Sequence, residues 1–124
     1  MEKKQEVDIR HFAALDIRLG KVVSAEPFPE ARKPSLKLRV DCGPGVGVLQ
    51  SSARLTRHYT AEELVGGLVL AVINLPPLRV AGFRSECLVL GLVHPEDQGE
   101  VILVRPDAGK GEGRPDDRVG WPLG

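Results

Sequence analysis

The sequence is poor in aromatic residues and lacks long apolar runs. Aromatic residues make up only 4% of its 124 residues, so a core must be built from Val, Leu, Ile and Ala, with few rings left to stack on bases. Hydrophobic residues reach 42%, as in folded proteins, and the length predicts a single domain over residues 1–124. No run could span a bilayer, and the start, MEKKQEVDIRHF, lacks the apolar stretch of a signal peptide. We therefore expect a soluble, cytoplasmic protein without membrane insertion.

Groups that could hold a metal or perform catalysis are also scarce. The only cysteines, Cys42 and Cys87, form no CxxC, and the histidines are scattered without zinc-ligand spacing. No acid–base pair of carboxylates is recognisable, and no serine lies in a nucleophile-elbow motif. The glycine-rich stretch at 109–113 does not join a strand to a helix, as a phosphate loop would. The sequence predicts no enzyme activity, no metal, no cofactor and two reduced core thiols.

Charge is distributed unevenly along a chain whose formal net charge is zero. Residues 32–84 hold eight basic and three acidic residues, a net charge of +5. Residues 85–124 hold four basic and eight acidic residues, a net charge of −4. A basic middle can attract phosphate groups, although chance variation along a surface produces similar asymmetries.

Apolar alternation predicts a chain of strands with one short helix. Apolar and polar residues alternate along residues 35–42, as in a half-buried antiparallel strand. Along residues 16–26 the apolar pattern shifts phase near Gly20, which predicts a bulge there. Thr60 and Glu63 form a capping box that begins a short helix before Gly66. We predict strands at residues 16–26, 35–42, 48–52, 68–75, 86–93 and 101–105.

This order of elements is the all-β plan of an OB-fold. It predicts a five-stranded barrel with one short helix between strands 3 and 4, flanked by N- and C-terminal extensions. The barrel core would cover residues 15–93, with Leu88 in the core, and residues 94–124 would form a C-terminal strand and extension. A small β-sandwich with an incidental helix is the alternative.

Three polar stretches have no evident structural purpose and form the candidate binding site. They are ARKPSLKLR (31–39), QSSAR (50–54) and NLPPLRVAGFRS (74–85). Cations at the rim of a barrel could bind phosphates, and hydroxyl and amide groups could contact ribose or bases; solvated strand edges are the alternative. The candidate residues are Arg32, Lys33, Lys37, Arg39, Ser51, Ser52, Asn74, Arg79, Phe83, Arg84 and Ser85.

The same stretches resemble the tRNA-binding-domain family of OB-folds. The matching pieces are LDIRLGKVVSAE, FPEARKPSLKLRVDCG, SSARL, YTAEELVG and NLPPLRVAGFRSECLVLG, in the order of the family. The family pattern in the last piece falls on Asn74, Pro77, Arg79, Gly82 and Ser85. The details FPEARKP and PPLRVAGFRSE look most like the CsaA branch of small stand-alone secretion chaperones. The resemblance implies a non-catalytic homodimer that binds tRNA and holds unfolded preproteins for the export machinery.

Two departures from the family keep a second interpretation open. Members that bind tRNA often carry Lys where this chain has Pro76 and Arg where it has Ala81, so two cations are missing from one loop. Phe83 and the prolines could instead line an apolar groove for peptides. The alternatives are a chaperone for protein export and an RNA-binding module that assists tRNA handling or aminoacylation without a chaperone role. In the predicted homodimer, we expect the exposed strand edges of the barrel to be covered by IRHFAAL (9–15) and the segment after Arg105.

Overall fold

A computed structural model describes all of residues 1–124 and consists mostly of β-strands. Its elements are α1 Ile9–Ala13, β1 Ile17–Pro27, β2 Leu36–Asp41, β3 Val48–Ala53, α2 Ala61–Leu64, β4 Leu68–Val72, β5 Leu78–Val80, β6 Phe83–Ser85, β7 Leu88–Val89, β8 Gly91–His94, β9 Asp97–Leu103 and a 3₁₀ helix at Pro115–Arg118. The main sheet is antiparallel, with strand order β3-β2-β1-β4-β7, and it curls into a nearly closed five-stranded barrel. The predicted OB-like barrel is therefore confirmed, and the β-sandwich alternative is wrong.

The barrel is closed along a seam where β3 lies beside the residues that precede β7. Both backbone and side-chain groups bridge this seam, because β3 and β7 do not pair as regular strands. Such mixed bonding satisfies polar groups that would otherwise be buried without partners. The bridging bonds run from the Glu86 N–H to the Gln50 carbonyl at 2.8 Å, from the Ser51 hydroxyl to the Cys87 carbonyl at 2.9 Å, and from the Ser52 N–H to the Ser85 hydroxyl at 3.0 Å.

The core inside the barrel is aliphatic, as the shortage of aromatic residues requires. Both cysteines are buried as free thiols, and burial raises the pKa of Cys42 to about 11 and that of Cys87 to about 12. Each thiol therefore stays uncharged at neutral pH and packs as a small hydrophobic group. The core cluster consists of Val22, Leu36, Leu38, Val40, Cys42, Ala53, Leu55, Leu64, Val69 and Leu103.

The short helix α2 lies between strands 3 and 4 of the barrel, as predicted. The Glu63 N–H donates to the Thr60 hydroxyl at 3.2 Å, and the Thr60 N–H donates to the Glu63 carboxylate at 2.7 Å. This capping box satisfies the first backbone donors of a helix that is too short to be stable alone. Leu64 is fully buried at the end of the helix and fixes α2 against the barrel core.

The pairing of β1 with β2 is irregular close to Gly20, where the sequence predicted a bulge. The register between β1 and β2 shifts between Val22 and Ser24, so the irregularity follows Gly20 instead of lying at it. Gly20 has another purpose, since a Cβ atom there would lie only 2.4 Å from Cγ1 of Val40. The glycine permits close packing of β1 on β2.

The two apolar runs after α2 form shorter strands than predicted. The predicted strand at 68–75 ends at Val72, and the run at 86–93 forms two strands, since β8 leaves the barrel to pair with β9. Leu88 is 50% exposed, so its prediction as a core residue is wrong. A run that is apolar at nearly every position shows no alternation, and therefore it does not indicate which side chains face inward.

Both ends of the chain attach to the beginning of β1. The helix α1, which the sequence did not predict, is capped by the Asp8 carboxylate, which accepts from the Arg10 N–H at 2.8 Å. The C-terminal segment runs along β1, with the Leu123 N–H donating to the Ile17 carbonyl at 2.8 Å. No helix in the structure combines the length and the hydrophobicity that crossing a membrane requires.

Candidate nucleic-acid interface

The outer face of β2 and β3 carries polar side chains in cross-strand register. Along β2 the inward positions are buried, while Lys37 and Arg39 point outward. Lys37 lies opposite Ser52 and Arg39 opposite Gln50 on β3. The face of strands 2 and 3 is where OB-folds bind oligonucleotides, together with the loops that border it.

Two walls turn this face into a groove. One wall is the loop at residues 28–34 between β1 and β2, and the other is the β5–β6 hairpin between the last two barrel strands. One depression of about 620 Å³ adjoins another of about 480 Å³, because Glu30 and Ala81 line both. We call these joined depressions, with the outer face of β2 and β3, the basic groove. Its polar and aromatic lining residues include Arg32, Lys33, Ser52, Arg54 and Arg79 in the first depression and Lys37, Gln50, Phe83 and Arg84 in the second.

The cations of the basic groove have no acidic partners. Outside the groove, Arg10, Arg18, Lys21 and Arg57 each form an ion pair, and the other six cations form none. The acidic side chains near the groove, Glu26 and Glu30, form no ion pair either. Glu26 and Glu30 line the same surface, but seven cations outnumber these two carboxylates, and a net positive charge along a concave face raises the local concentration of an anionic ligand. The unpaired cations of the groove are Arg32, Lys33, Lys37, Arg39, Arg54, Arg79 and Arg84.

The β5–β6 hairpin brings two of these cations together at some cost in stability. Arg79 and Arg84 are directly paired across the hairpin, and like charges in that position are destabilising. The turn between the strands is Ala81-Gly82, and both residues have positive φ, 47° and 80°. A residue with a Cβ atom costs about 1 kcal/mol or more in that conformation. Backbone strain together with charge repulsion at one exposed hairpin is typical of a ligand-binding site.

Several predicted site residues have their polar groups engaged by the fold. Ser51 is only 1% exposed and its hydroxyl donates to the Cys87 carbonyl, while the Ser85 hydroxyl accepts from the Ser52 N–H at the same seam. Asn74 lies at the end of β4, where its side-chain amide donates to the Ala14 carbonyl and accepts from the Asp16 N–H, both at 2.8 Å. The structure therefore brings Arg32, Lys33, Lys37, Arg39, Ser52, Arg79, Phe83 and Arg84 together in the basic groove and places Asn74 at the N-terminal segment.

Sequence reasoning missed Gln50 as a residue of the groove. Its side-chain amide donates to the Arg84 carbonyl at 2.7 Å, which holds the β5–β6 hairpin against β3. The alternation along β3 could have found it, because Gln50, Ser52 and Arg54 share the outer face while Ser51 faces inward. The same alternation places Arg54 in the groove, where it contacts Gln98 at 3.4 Å.

A second cluster of charge lies beyond Arg54 and is neutralised internally. Arg57 pairs with Asp97, and its guanidinium holds the pKa of that carboxyl below the usual range. His58 is hydrogen-bonded to Glu100 in the same cluster. Arg57 therefore adds little to the positive potential of the basic groove. No group of three or more His, Cys, Asp or Glu side chains is placed to hold a metal ion.

Comparisons with known proteins agree with this geometry. A family model described as putative tRNA binding domain matches residues 17–115. The methionine–tRNA ligase of Methanocaldococcus jannaschii is 36% identical over 106 residues, which cover 86% of this chain. The match covers 16% of that ligase, so the chain corresponds to a small part of the enzyme.

Two solved structures resemble the chain over nearly its whole length. The chaperone CsaA from Bacillus anthracis is 42% identical, with a TM-score of 0.83, and the alignment covers 97% of this chain and all of that one (100%). The CsaA chaperone protein from Picrophilus torridus is 34% identical, with a TM-score of 0.81 and coverage of 96% and 100%. Each alignment thus includes nearly all of this chain and the whole of the solved chain.

Proposed function

Because the chain belongs to the tRNA-binding-domain family, we propose that it binds tRNA in the basic groove and acts as a binding module without catalysis, in the cytoplasm. The observation that carries this proposal is the set of unpaired cations along one concave face. Phosphate contacts supply much of the affinity of proteins for nucleic acids, and Lys and Arg side chains without acidic partners are available to neutralise phosphate charge.

The chemistry of the groove favours contact with the backbone of a folded RNA. Arg32, Lys33 and Arg79 surround one depression, where they can contact neighbouring phosphates. Groups that could read bases are scarce, since Asn74 and Ser51 are engaged within the fold. The groove therefore offers many contacts that position an RNA and few that read its sequence.

Titration with unfractionated tRNA at two salt concentrations tests the proposal. If about four of the groove cations contact phosphates, the affinity should fall roughly 50-fold to 150-fold between 50 and 200 mM salt, because each contact releases counterions. A gel-shift or fluorescence-anisotropy titration measures this change. No binding at 50 mM salt, or an affinity independent of salt, would contradict the proposal.

A second candidate function is the binding of unfolded preproteins for export. It is supported by the likeness to two proteins named as CsaA chaperones and by exposed apolar side chains on the groove wall. Leu78 is 67% exposed and lines the basic groove beside Val80 and Ala81.

Suppression of aggregation of an unfolded preprotein, measured with and without saturating tRNA, separates the functions. If tRNA reduces the suppression of aggregation, tRNA and the preprotein compete for one groove. If the chain does not suppress aggregation at all, the result favours an RNA-binding module without a chaperone role.

We further propose that the chain forms a homodimer through its terminal segments. α1 and the C-terminal segment both attach at the beginning of β1 and leave large apolar side chains uncovered. Trp121 is 61% exposed, and Ile9, Phe12 and Leu123 are also exposed. A second copy that buries these side chains would remove apolar surface from water.

Replacing Trp121 with serine should therefore shift the protein from dimer to monomer. The ring supplies much of the uncovered apolar area, and burying a large aromatic side chain commonly dominates an interface. Light scattering at micromolar concentration measures the mass. Val65→Ser, at another exposed apolar side chain at the C-cap of α2, is the matched control. A wild-type monomer would contradict the dimer, and a dimeric Trp121→Ser variant would contradict this interface.

A further inference from the structure

Lys37 stands apart from the other groove cations because two aromatic rings hold it. Its ammonium lies 4.7 Å from the centroid of the Phe28 ring and 5.4 Å from that of Phe83. The two rings pack edge to face, with centroids 5.4 Å apart and an angle of 65° between their planes. The chain has only three phenylalanines, and two of them meet at this lysine.

The surroundings make this arrangement a cage and not a chance contact. Phe28 is only 3% exposed, so its ring is fixed in the loop before β2. Lys37 forms no ion pair that would draw its ammonium elsewhere. Attraction between a cation and the face of a ring therefore sets the position of an otherwise flexible side chain.

We propose that Phe28 and Phe83 hold the Lys37 ammonium in place on the floor of the basic groove, ready to contact an RNA phosphate. Phe83 is then a positioning residue that acts through Lys37, and not a platform on which a base stacks. This inference rests on the proposed binding of tRNA. Ordering the lysine before binding removes part of the entropy that immobilising a long side chain costs.

The burial of the rings argues against stacking of a base. Phe28 has almost no exposed surface, and Phe83 is partly buried with the Lys37 ammonium over its ring. A base that stacked on that face of Phe83 would have to displace the ammonium. A phosphate needs only the outward side of the ammonium, which lines the same depression as Arg84.

The cage can be tested in the free protein, without RNA. Ring currents should move the Hε proton resonances of Lys37 upfield in NMR spectra of the wild type. Phe83→Leu keeps an apolar side chain but removes the ring, and it should move these resonances toward those of the other lysines. Phe83→Tyr keeps the ring and should preserve the shift. Lys37 resonances at ordinary positions in the wild type would overturn the cage whatever the result with RNA.

A double-mutant cycle with unfractionated tRNA tests the role of Phe83. Phe83→Leu should weaken binding about threefold to tenfold, the cost of ordering one long side chain on binding. Lys37→Met should weaken binding. It should also lower the magnitude of the salt slope, the slope of log affinity against log salt concentration, by about 0.7 to 0.9. In the Lys37→Met background, Phe83→Leu should have no further effect, because the residue through which it acts is gone.

The outcomes separate this inference from the proposed function. If Phe83→Leu weakens binding equally in both backgrounds, Phe83 contacts RNA directly or supports the groove structurally, and the positioning role is wrong. If the wild type shows the upfield shift but does not bind tRNA, the cage exists and the proposed function fails, and the phosphate role with it. Urea unfolding of each variant checks that the barrel is intact.

Discussion

Replacing Arg79 with alanine is expected to weaken tRNA binding about tenfold to hundredfold. A charge-assisted hydrogen bond to a phosphate contributes roughly 1.5–3 kcal/mol, and Arg79 has no acidic partner that would compete for its guanidinium. Its single bond within the chain is a long one of 3.5 Å to the Gly82 carbonyl. The salt slope should lose about 0.7 to 0.9 in magnitude, which a titration at several salt concentrations measures.

The same substitution should leave the fold nearly unchanged. Arg79 is exposed, and its removal relieves the repulsion with Arg84 across the hairpin, so the free energy of unfolding should change by less than about 0.5 kcal/mol. Lys110→Ala is the matched control, since it removes one positive charge from the C-terminal segment, outside the groove. Equal losses of affinity in the two variants would mean that only net charge matters and that the groove is not the binding site.

Leu38→Ala is expected to lower the free energy of unfolding by about 2–5 kcal/mol. Leu38 lies in the middle of β2, is fully buried and belongs to the aliphatic core cluster. Truncating it leaves a cavity that the surrounding strands fill only in part. Because small domains are stable by only about 5–15 kcal/mol, urea unfolding should show a large shift of the midpoint.

Two companion variants make this measurement specific. Leu38→Met keeps the volume and should cost less than about 1.5 kcal/mol. Leu88→Ala removes the same atoms from a side chain that is 50% exposed, and it should cost clearly less than Leu38→Ala. If the two alanine variants cost the same, the assignment of Leu88 to the outside of the barrel would be wrong for the protein in solution.

The sequence by itself determined much of the architecture and predicted the chemistry of the proposed ligand. The alternation from Leu36 to Val40 predicted a strand with one buried face, and the Thr60–Glu63 pair predicted the helix between strands 3 and 4. Both features are local, because they depend on side-chain periodicity and on bonds between residues close in sequence. The basic residues in the middle of the chain likewise predicted an affinity for phosphate.

Only the tertiary structure decided which polar residues remain free to bind. Ser51 and Asn74 looked like ligand contacts, but their hydrogen bonds reach residues 36 and 58 to 60 positions away, which no local pattern reveals. The lack of acidic partners around Arg79, and the meeting of Phe28, Lys37 and Phe83, also depend on how the barrel closes. Long-range contacts of this kind form only when strands distant in sequence come together. The physical reason is that a side chain's chemistry is local, whereas its availability depends on every residue that the fold places beside it.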